Sequence, residues 1–170
     1  MLFVYECTGN IIAEFKKFYD TQLSEEQKKR IFVPTYDCMK KYQGSWHMEQ
    51  KSAFRNCFLI ECRDRDDLAD MLHGLQCADI LAENITANAI ALLPEQEIFL
   101  RDLMMPETKK ISMSTGYIKD GRTYVTKGPL QGREKMISRI DRHKRLAKLR
   151  FAAGNTDREL YAGLEIISKS

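Results

Sequence analysis

A chain of 170 residues allows one ordinary domain or two small ones, and because small domains bury a smaller share of their surface, each of two would be only moderately stable. Its 44% hydrophobic and 30% charged residues lie near the averages for soluble globular proteins, which argues against a largely disordered chain or a disulfide scaffold. The net charge of +3 hides an asymmetry: residues 1–106 hold 12 basic and 17 acidic side chains, net −5, and residues 107–170 hold 15 and 7, net +8. The basic half is the nucleic-acid candidate, against the plainer reading of a solvated basic surface.

The chain opens on Leu2-Phe3-Val4-Tyr5, a short β-rich run that stops at the turn or cap cluster Thr8-Gly9-Asn10. Ile11, Ile12, Phe15, Phe18 and Tyr19 then recur at helical spacing, which predicts an amphipathic helix to about Thr21 or a turn beyond. After the charged stretch Ser24–Arg30, the apolar run Ile31-Phe32-Val33-Pro34 leads into Thr35–Lys41, Gly44-Ser45 marks a turn, and the chain returns through Ser52–Cys62. This predicts a long hairpin with its tip near Gly44. Asp64–Asp67 supply an acidic start to a short helix through Leu68, Met71 and Leu72 that ends near Gly74. Ile85-Thr86 and Ile90–Leu93 suggest another strand, and Pro94-Glu95-Gln96-Glu97 opens a last helix to about Met105. The order β-α-β-β-α-β-α describes a small α+β sandwich with an antiparallel sheet over residues 1–105.

Pro106–Lys110 reads as the start of a linker, taken as residues 106–120, where the charge changes sign. Residues 121–170 then carry short β runs at Thr123–Thr126, Lys135–Ile140, Leu146–Phe151, Leu160-Tyr161 and Leu164–Ile167, separated by turn signals such as Gly128-Pro129 and Gly154-Asn155. Runs this short and evenly spaced suggest a five-stranded barrel. The five cysteines, Cys7, Cys38, Cys57, Cys62 and Cys77, show no CxxC pairing and an odd total. Reduced, mostly packed thiols are therefore expected rather than a zinc site or a disulfide framework. No apolar run approaches the ~20 residues of a membrane span, and Met1 leads into a strand-like segment without a signal-peptide pattern. A cytoplasmic monomer with no membrane partner is the expectation.

Residues 124–141, Tyr-Val-Thr-Lys-Gly-Pro-Leu-Gln-Gly-Arg-Glu-Lys-Met-Ile-Ser-Arg-Ile-Asp, resemble the KOW motif: a strand enters a Gly-Pro turn, crosses a short loop and returns as a strand ending in an acid. Gly128 permits tight backbone geometry, Pro129 fixes a turn, Leu130 can plug the barrel end, and Met136, Ile137 and Ile140 provide packing. The family's usual glycine a few residues past the turn falls at Lys135, so either the local turn differs or the position tolerates a side chain. Ahead of this motif, Met1–Gly9 resembles the opening strand of the NusG N-terminal (NGN) domain, and Ile31–Thr35 its Val-Pro strand. Ala53–Ile60 occupies the place of its Phe-Pro-Gly-Tyr strand, with Phe54 retained but Arg55, Asn56 and Cys57 in place of Pro, Gly and Tyr. The chain as a whole thus resembles the NusG family of transcription elongation and antitermination factors, and Ile140–Ala147 is similar to the LoaP-type paralogues of that family.

The resemblance implies an operon-specific processive antiterminator. Its NGN domain would dock on the clamp helices of RNA polymerase, with Trp46, Phe54, Arg55 and Cys57 as the docking residues. Its KOW domain would bind RNA, such as a nascent hairpin, and another transcription or translation factor is a further expected partner. Arg142-His143-Lys144-Arg145 at a hairpin tip, with Lys127, Arg133, Lys135, Arg139 and Lys148 nearby, are the residues expected to neutralise phosphates and reach base edges. Trp46 and His47 near the other tip could stack on nucleic acid, contact polymerase, or simply belong to a variable turn, and His73 is better explained by its helix end. The sequence has no P-loop, metal-ligand cluster, dinucleotide fingerprint or nucleophilic triad. No catalysis and no cofactor are expected. A KOW protein that binds RNA freely or on the ribosome, without polymerase, is the alternative.

Overall fold

The computed structural model describes residues 1–75 and 78–170, so Cys77 lies outside the described residues. The architecture is mixed α+β with three sheets. In chain order the elements are β1 (Leu2–Glu6), α1 (Ile11–Gln22), α2 (Glu25–Lys28), β2 (Ile31–Phe32), β3 (Thr35–Tyr42), β4 (Ser45–Ser52) and β5 (Cys57–Glu61). Next come α3 (Arg65–Gly74), α4 (Asp79–Asn88), β6 (Ile90–Ala91), α5 (Pro94–Leu103), β7 (Lys110–Ile111), β8 (Ser114–Lys119) and β9 (Arg122–Lys127). A single 3-10 turn, Glu134–Met136, precedes β10 (Ile137–Asp141), β11 (Leu146–Ala153) and β12 (Thr156–Lys169). The chain divides into two compact units, residues 1–33 with 56–97, and residues 34–55 with 98–170.

The first unit is a four-stranded sheet in the order β2-β5-β1-β6, with β5 antiparallel to β1 and β2 antiparallel to β5. Leu2 to Tyr5 are all buried, which is why β1 reads as an unbroken apolar run rather than an alternation. Phe15 and Phe18 of α1, Leu68 and Leu72 of α3, and Leu81 and Ile85 of α4 join Phe3, Tyr5 and Ile60 in one core. The helix expected after Asp64 is present and capped, because the Asp64 carboxylate accepts the Asp67 N–H at 2.8 Å.

Two segments of this unit differ from the expectation. Ile85-Thr86 lies in α4 rather than in a strand: Leu81, Ala82 and Ile85 share its buried face, and the Thr86 hydroxyl donates back to the Ala82 carbonyl at 2.8 Å. The hairpin return through 52–62 is also not one arm. β4 ends at Ser52, Asn56 takes a left-handed φ of 50°, and the chain starts afresh as β5, which pairs with Ile31-Phe32. Pro34 lacks an N–H and so separates β2 from β3 on the outbound side. The four described cysteines, Cys7, Cys38, Cys57 and Cys62, are buried thiols, and burial, followed by the neighbouring Cys57, pushes the Cys7 thiol up to about 12.

The second unit holds a three-stranded sheet, β4-β3-β7, and a five-stranded sheet in the order β10-β11-β12-β8-β9. Residues 106–120, read from the sequence as a linker, contain β7, parallel to β3, and β8. Leu160-Tyr161 and Leu164–Ile167 are one continuous strand, β12, which pairs antiparallel with β11 along its first half and parallel with β8 along its second. Gly163 lies at its centre, between the two runs. It is a point of close approach, where an added Cβ would run into the Asp37 backbone oxygen of β3.

Among the described residues no ladder joins β9 to β10, so the five strands do not close into a barrel. A side chain spans that seam: the Val125 N–H donates to Glu134 Oε1 at 3.0 Å. Burial pushes the Glu134 carboxyl up, but donors on the backbone of Glu134, Val125 and Gly132 outweigh it and hold the pKa below the ordinary value. Lys135 sits in the 3-10 turn, outside the left-handed region, so this position accommodates a side chain because the local turn is helical. Leu130 is fully buried, and its N–H donates to the buried Ser114 hydroxyl at 3.1 Å. No helix among the described residues is long and apolar enough to cross a membrane.

Gly128 has a φ of 98°, and a Cβ there would lie 2.7 Å from Ser114 Cα. Gly128→Ala is therefore expected to destabilise the second unit by about 1–3 kcal/mol. Urea unfolding checks this, and an unchanged midpoint would contradict the packing described here.

Candidate nucleic-acid interface

Within the second unit, two tight turns come together. The first joins β3 to β4 through Gln43 and Gly44, whose φ values of 50° and 79° are both positive, as a two-residue hairpin turn that follows strand twist requires. The second joins β10 to β11 through Arg142–Arg145. There the Asp141 carboxylate accepts the Lys144 N–H at 3.0 Å, and the Arg145 N–H donates to the Arg142 carbonyl at 3.3 Å. Asp and Asn favour such turns because a short side chain with an oxygen acceptor can replace a backbone acceptor. The Lys144 N–H, with the Lys144 and His143 charges behind it, holds the Asp141 carboxyl below its ordinary pKa.

The contact between the turns is an arginine on a tryptophan. The Arg145 guanidinium lies 3.9 Å from the centre of the Trp46 ring, and its Nη2 is 3.3 Å from Glu165 Oε1. On the other face of β4, His47 stacks on Tyr42 with ring centres 3.8 Å apart and planes 14° from parallel. Between the turns runs a groove of about 320 Å³, bordered by Lys40, Lys41 and Lys51 from the hairpin and by His143 and Lys144 from the other turn. Tyr36, Trp46 and Leu146 supply apolar walls. Lys40 is 3.7 Å from Glu49 and Lys144 is 3.8 Å from Asp141. Lys41, Lys51 and Arg142 form no salt bridge among the described residues and are exposed.

The basic residues singled out from the sequence do not all share this place. His143 and Lys144 line the groove, Arg145 adjoins it through Trp46, and Arg142 is exposed in the same turn. Lys135 and Arg139 border a second depression of about 550 Å³, with Arg122, along the open seam between β9 and β10. Lys127 is exposed at the end of β9. Two others are already paired: Lys148 reaches both Glu159 carboxylate oxygens at 3.0 Å, and Arg133 reaches Asp102 at 3.2 Å and the Pro129 carbonyl at 3.1 Å.

Of the four residues named for polymerase docking, Trp46 and Arg55 are exposed, whereas Phe54 and Cys57 retain only 1% and 4% of their surface. Phe54 packs edge-on against Phe151 with ring centres 5.6 Å apart and bridges to Leu160 of β12. His73 lies in the last turn of α3.

Lys40, Lys41, Lys51 and Tyr42 were missed by sequence reasoning. The charge count was cut at residue 106, which assigned this hairpin to the acidic side. Counted by compact unit, the first holds 7 basic and 14 acidic residues, net −7, and the second 20 and 10, net +10. Two lysines beside a tyrosine and a tryptophan around a Gly44 turn were the available signal. Among the described residues no group of three or more His, Cys, Asp or Glu side chains could hold a metal ion. No protein-family model matches the chain, and no curated protein matches it either.

Because the folded-state pKa of Asp141 is lowered, its contribution to stability is present above the ordinary aspartate pKa and is lost as pH falls through the lower, folded value. NMR titration should place the Asp141 carboxyl below a free aspartate, with the Lys144 amide shift following the same curve. A midpoint at or above the free value would mean the turn is not held by this bond in solution.

Proposed function

We propose that this chain is a NusG-type transcription factor of the operon-specific antiterminator kind, which associates with RNA polymerase and engages RNA through its basic second unit. The observation that supports the RNA half most directly is the groove itself, where two turns distant in sequence bring five cationic or imidazole side chains around exposed aromatic surface. Phosphate neutralisation by lysine and arginine drives nucleic-acid affinity, and aromatic faces add base contacts. The opposite charges of the two units, −7 and +10, fit a protein with two different partners. The finer architecture is part of the same proposal: an NGN-type domain, and a KOW domain of barrel type left open between β9 and β10.

Reversing charge at Arg142, Lys144 and Lys41 should weaken RNA binding at least tenfold and reduce the slope of log affinity against log salt by roughly one for each phosphate no longer neutralised. Circular dichroism should remain unchanged. Equal affinity in the triple variant would reject this face as the RNA surface.

The alternative, an RNA-binding protein that never touches polymerase, is favoured by one feature: Phe54 and Cys57 are buried and offer a partner no surface. Docking in the favoured reading therefore falls to Arg55 and the surface around it. Retention of core RNA polymerase by the immobilised full chain, reduced by Arg55→Glu, is the expected result. If polymerase passes through unretained while RNA is held, the alternative stands.

A further inference from the structure

We infer that the groove between the β3–β4 hairpin and the β10–β11 turn takes unpaired nucleotides, with a base stacked against the Trp46–Arg145 pair and its flanking phosphates on Lys40, Lys41 and Lys144. This rests on the RNA reading above and specifies which part of an RNA is recognised.

Trp46 and Tyr42 keep 40% and 42% of their surface in contact with solvent, although both would gain by burial. Both flank one tight turn, but only Trp46 lines the groove, beside Lys40 and Lys41, while Tyr42 stacks on His47 on the other face. Arg145 is already in place on Trp46 at 3.9 Å, tethered by Glu165 and held in a left-handed backbone conformation with a φ of 49°. A clamp ordered before its ligand arrives loses less freedom on binding.

Size and chemistry narrow the occupant further. At about 320 Å³ the groove is at the small end of ligand pockets. It has room for a base and its sugar and none for a helix two strands wide. In an A-form duplex the base faces are hidden in the stack, so an aromatic or guanidinium plane has nothing to lie on; in loops, bulges and single strands those faces are available. An acidic peptide would satisfy the lysines but leave the Trp46 surface unused.

Trp46 is the chain's single tryptophan, so its emission reports on this groove alone. The experiment titrates the full chain with a labelled single-stranded oligoadenylate of about ten nucleotides, a span typical of single-strand sites, and with a perfectly paired RNA duplex of the same length. Label anisotropy reads binding, and tryptophan emission reads stacking. The single strand should quench Trp46 and the duplex should not. Trp46→Ala should cost roughly tenfold in single-strand affinity, and Trp46→Phe should recover most of it. The quenching in the unaltered chain does not depend on how either variant folds. Single-strand binding without quenching, equal quenching by the duplex, or equal quenching by a polyglutamate peptide would each overturn the stacking site and leave the RNA reading intact. Flat anisotropy with both RNAs would overturn the two together.

Discussion

Strand β12 is the constraint on which the second unit depends. It carries hydrogen-bonded partners on both edges, β11 from Leu146 to Ala153 and β8 from Ser114 to Ile118, and its middle, Leu160 to Leu164, is buried. At Gly163 it passes so near the Asp37 carbonyl of β3 that a side chain has no room. The Tyr161 N–H donates to the Ala53 carbonyl at 2.8 Å, just past the end of β4, and the Leu164 N–H donates to the Arg145 carbonyl at 2.9 Å, at the other turn. One strand therefore fixes where the β3–β4 hairpin ends and where the β10–β11 turn ends. The Trp46–Arg145 contact is the visible result at the surface.

This placement gives the charge its meaning. Lysines on a hairpin and arginines on a distant turn are each ordinary, because exposed turns are commonly charged. Held by a common strand, Lys40, Lys41 and Lys51 of the hairpin and His143 and Lys144 of the turn border one groove, and the repulsion among the lysines disfavours bringing them together without an anion to share. Lys148 shows the contrast. Its ammonium is bound by Glu159, whose carboxyl is held below its ordinary pKa first by the Tyr161 hydroxyl and then by Lys148 itself. That cluster is internally satisfied, whereas Lys41, Lys51 and Arg142 face solvent with no salt bridge among the described residues.

Much of the local structure could be read from residue pattern. α1, α3 and α5 begin within a residue or two of the positions their caps and periodicity indicate, and the Gly44 tip and the Gly128 turn are where the turn residues put them. What escaped depended on packing at long range. Ile85-Thr86 looked like a strand because β-branched residues favour strands, yet a buried helix face with Leu81 outweighs that preference. Leu160-Tyr161 and Leu164–Ile167 read as two runs, yet they are one strand, and the missing side chain of Gly163 between them allows two sheets to approach. The seam between β9 and β10 was invisible as well, because a carboxylate at Glu134 takes up the Val125 N–H that a closed barrel would pair with backbone. The candidate site was half legible: Arg142–Arg145 stood out as a basic run, while Lys40, Lys41 and Lys51 were assigned to the wrong side of a charge boundary drawn along the chain rather than through the fold.

The central claim is that two segments far apart in sequence form one RNA-binding face. Ultraviolet cross-linking of the full chain to photoreactive single-stranded RNA, followed by mapping of the modified peptides, tests it most directly. The account predicts adducts in both the 40–51 hairpin and the 142–146 turn, at parallel yields as RNA is titrated. Adducts confined to one of these segments, or lying along the β9–β10 seam instead, would contradict it.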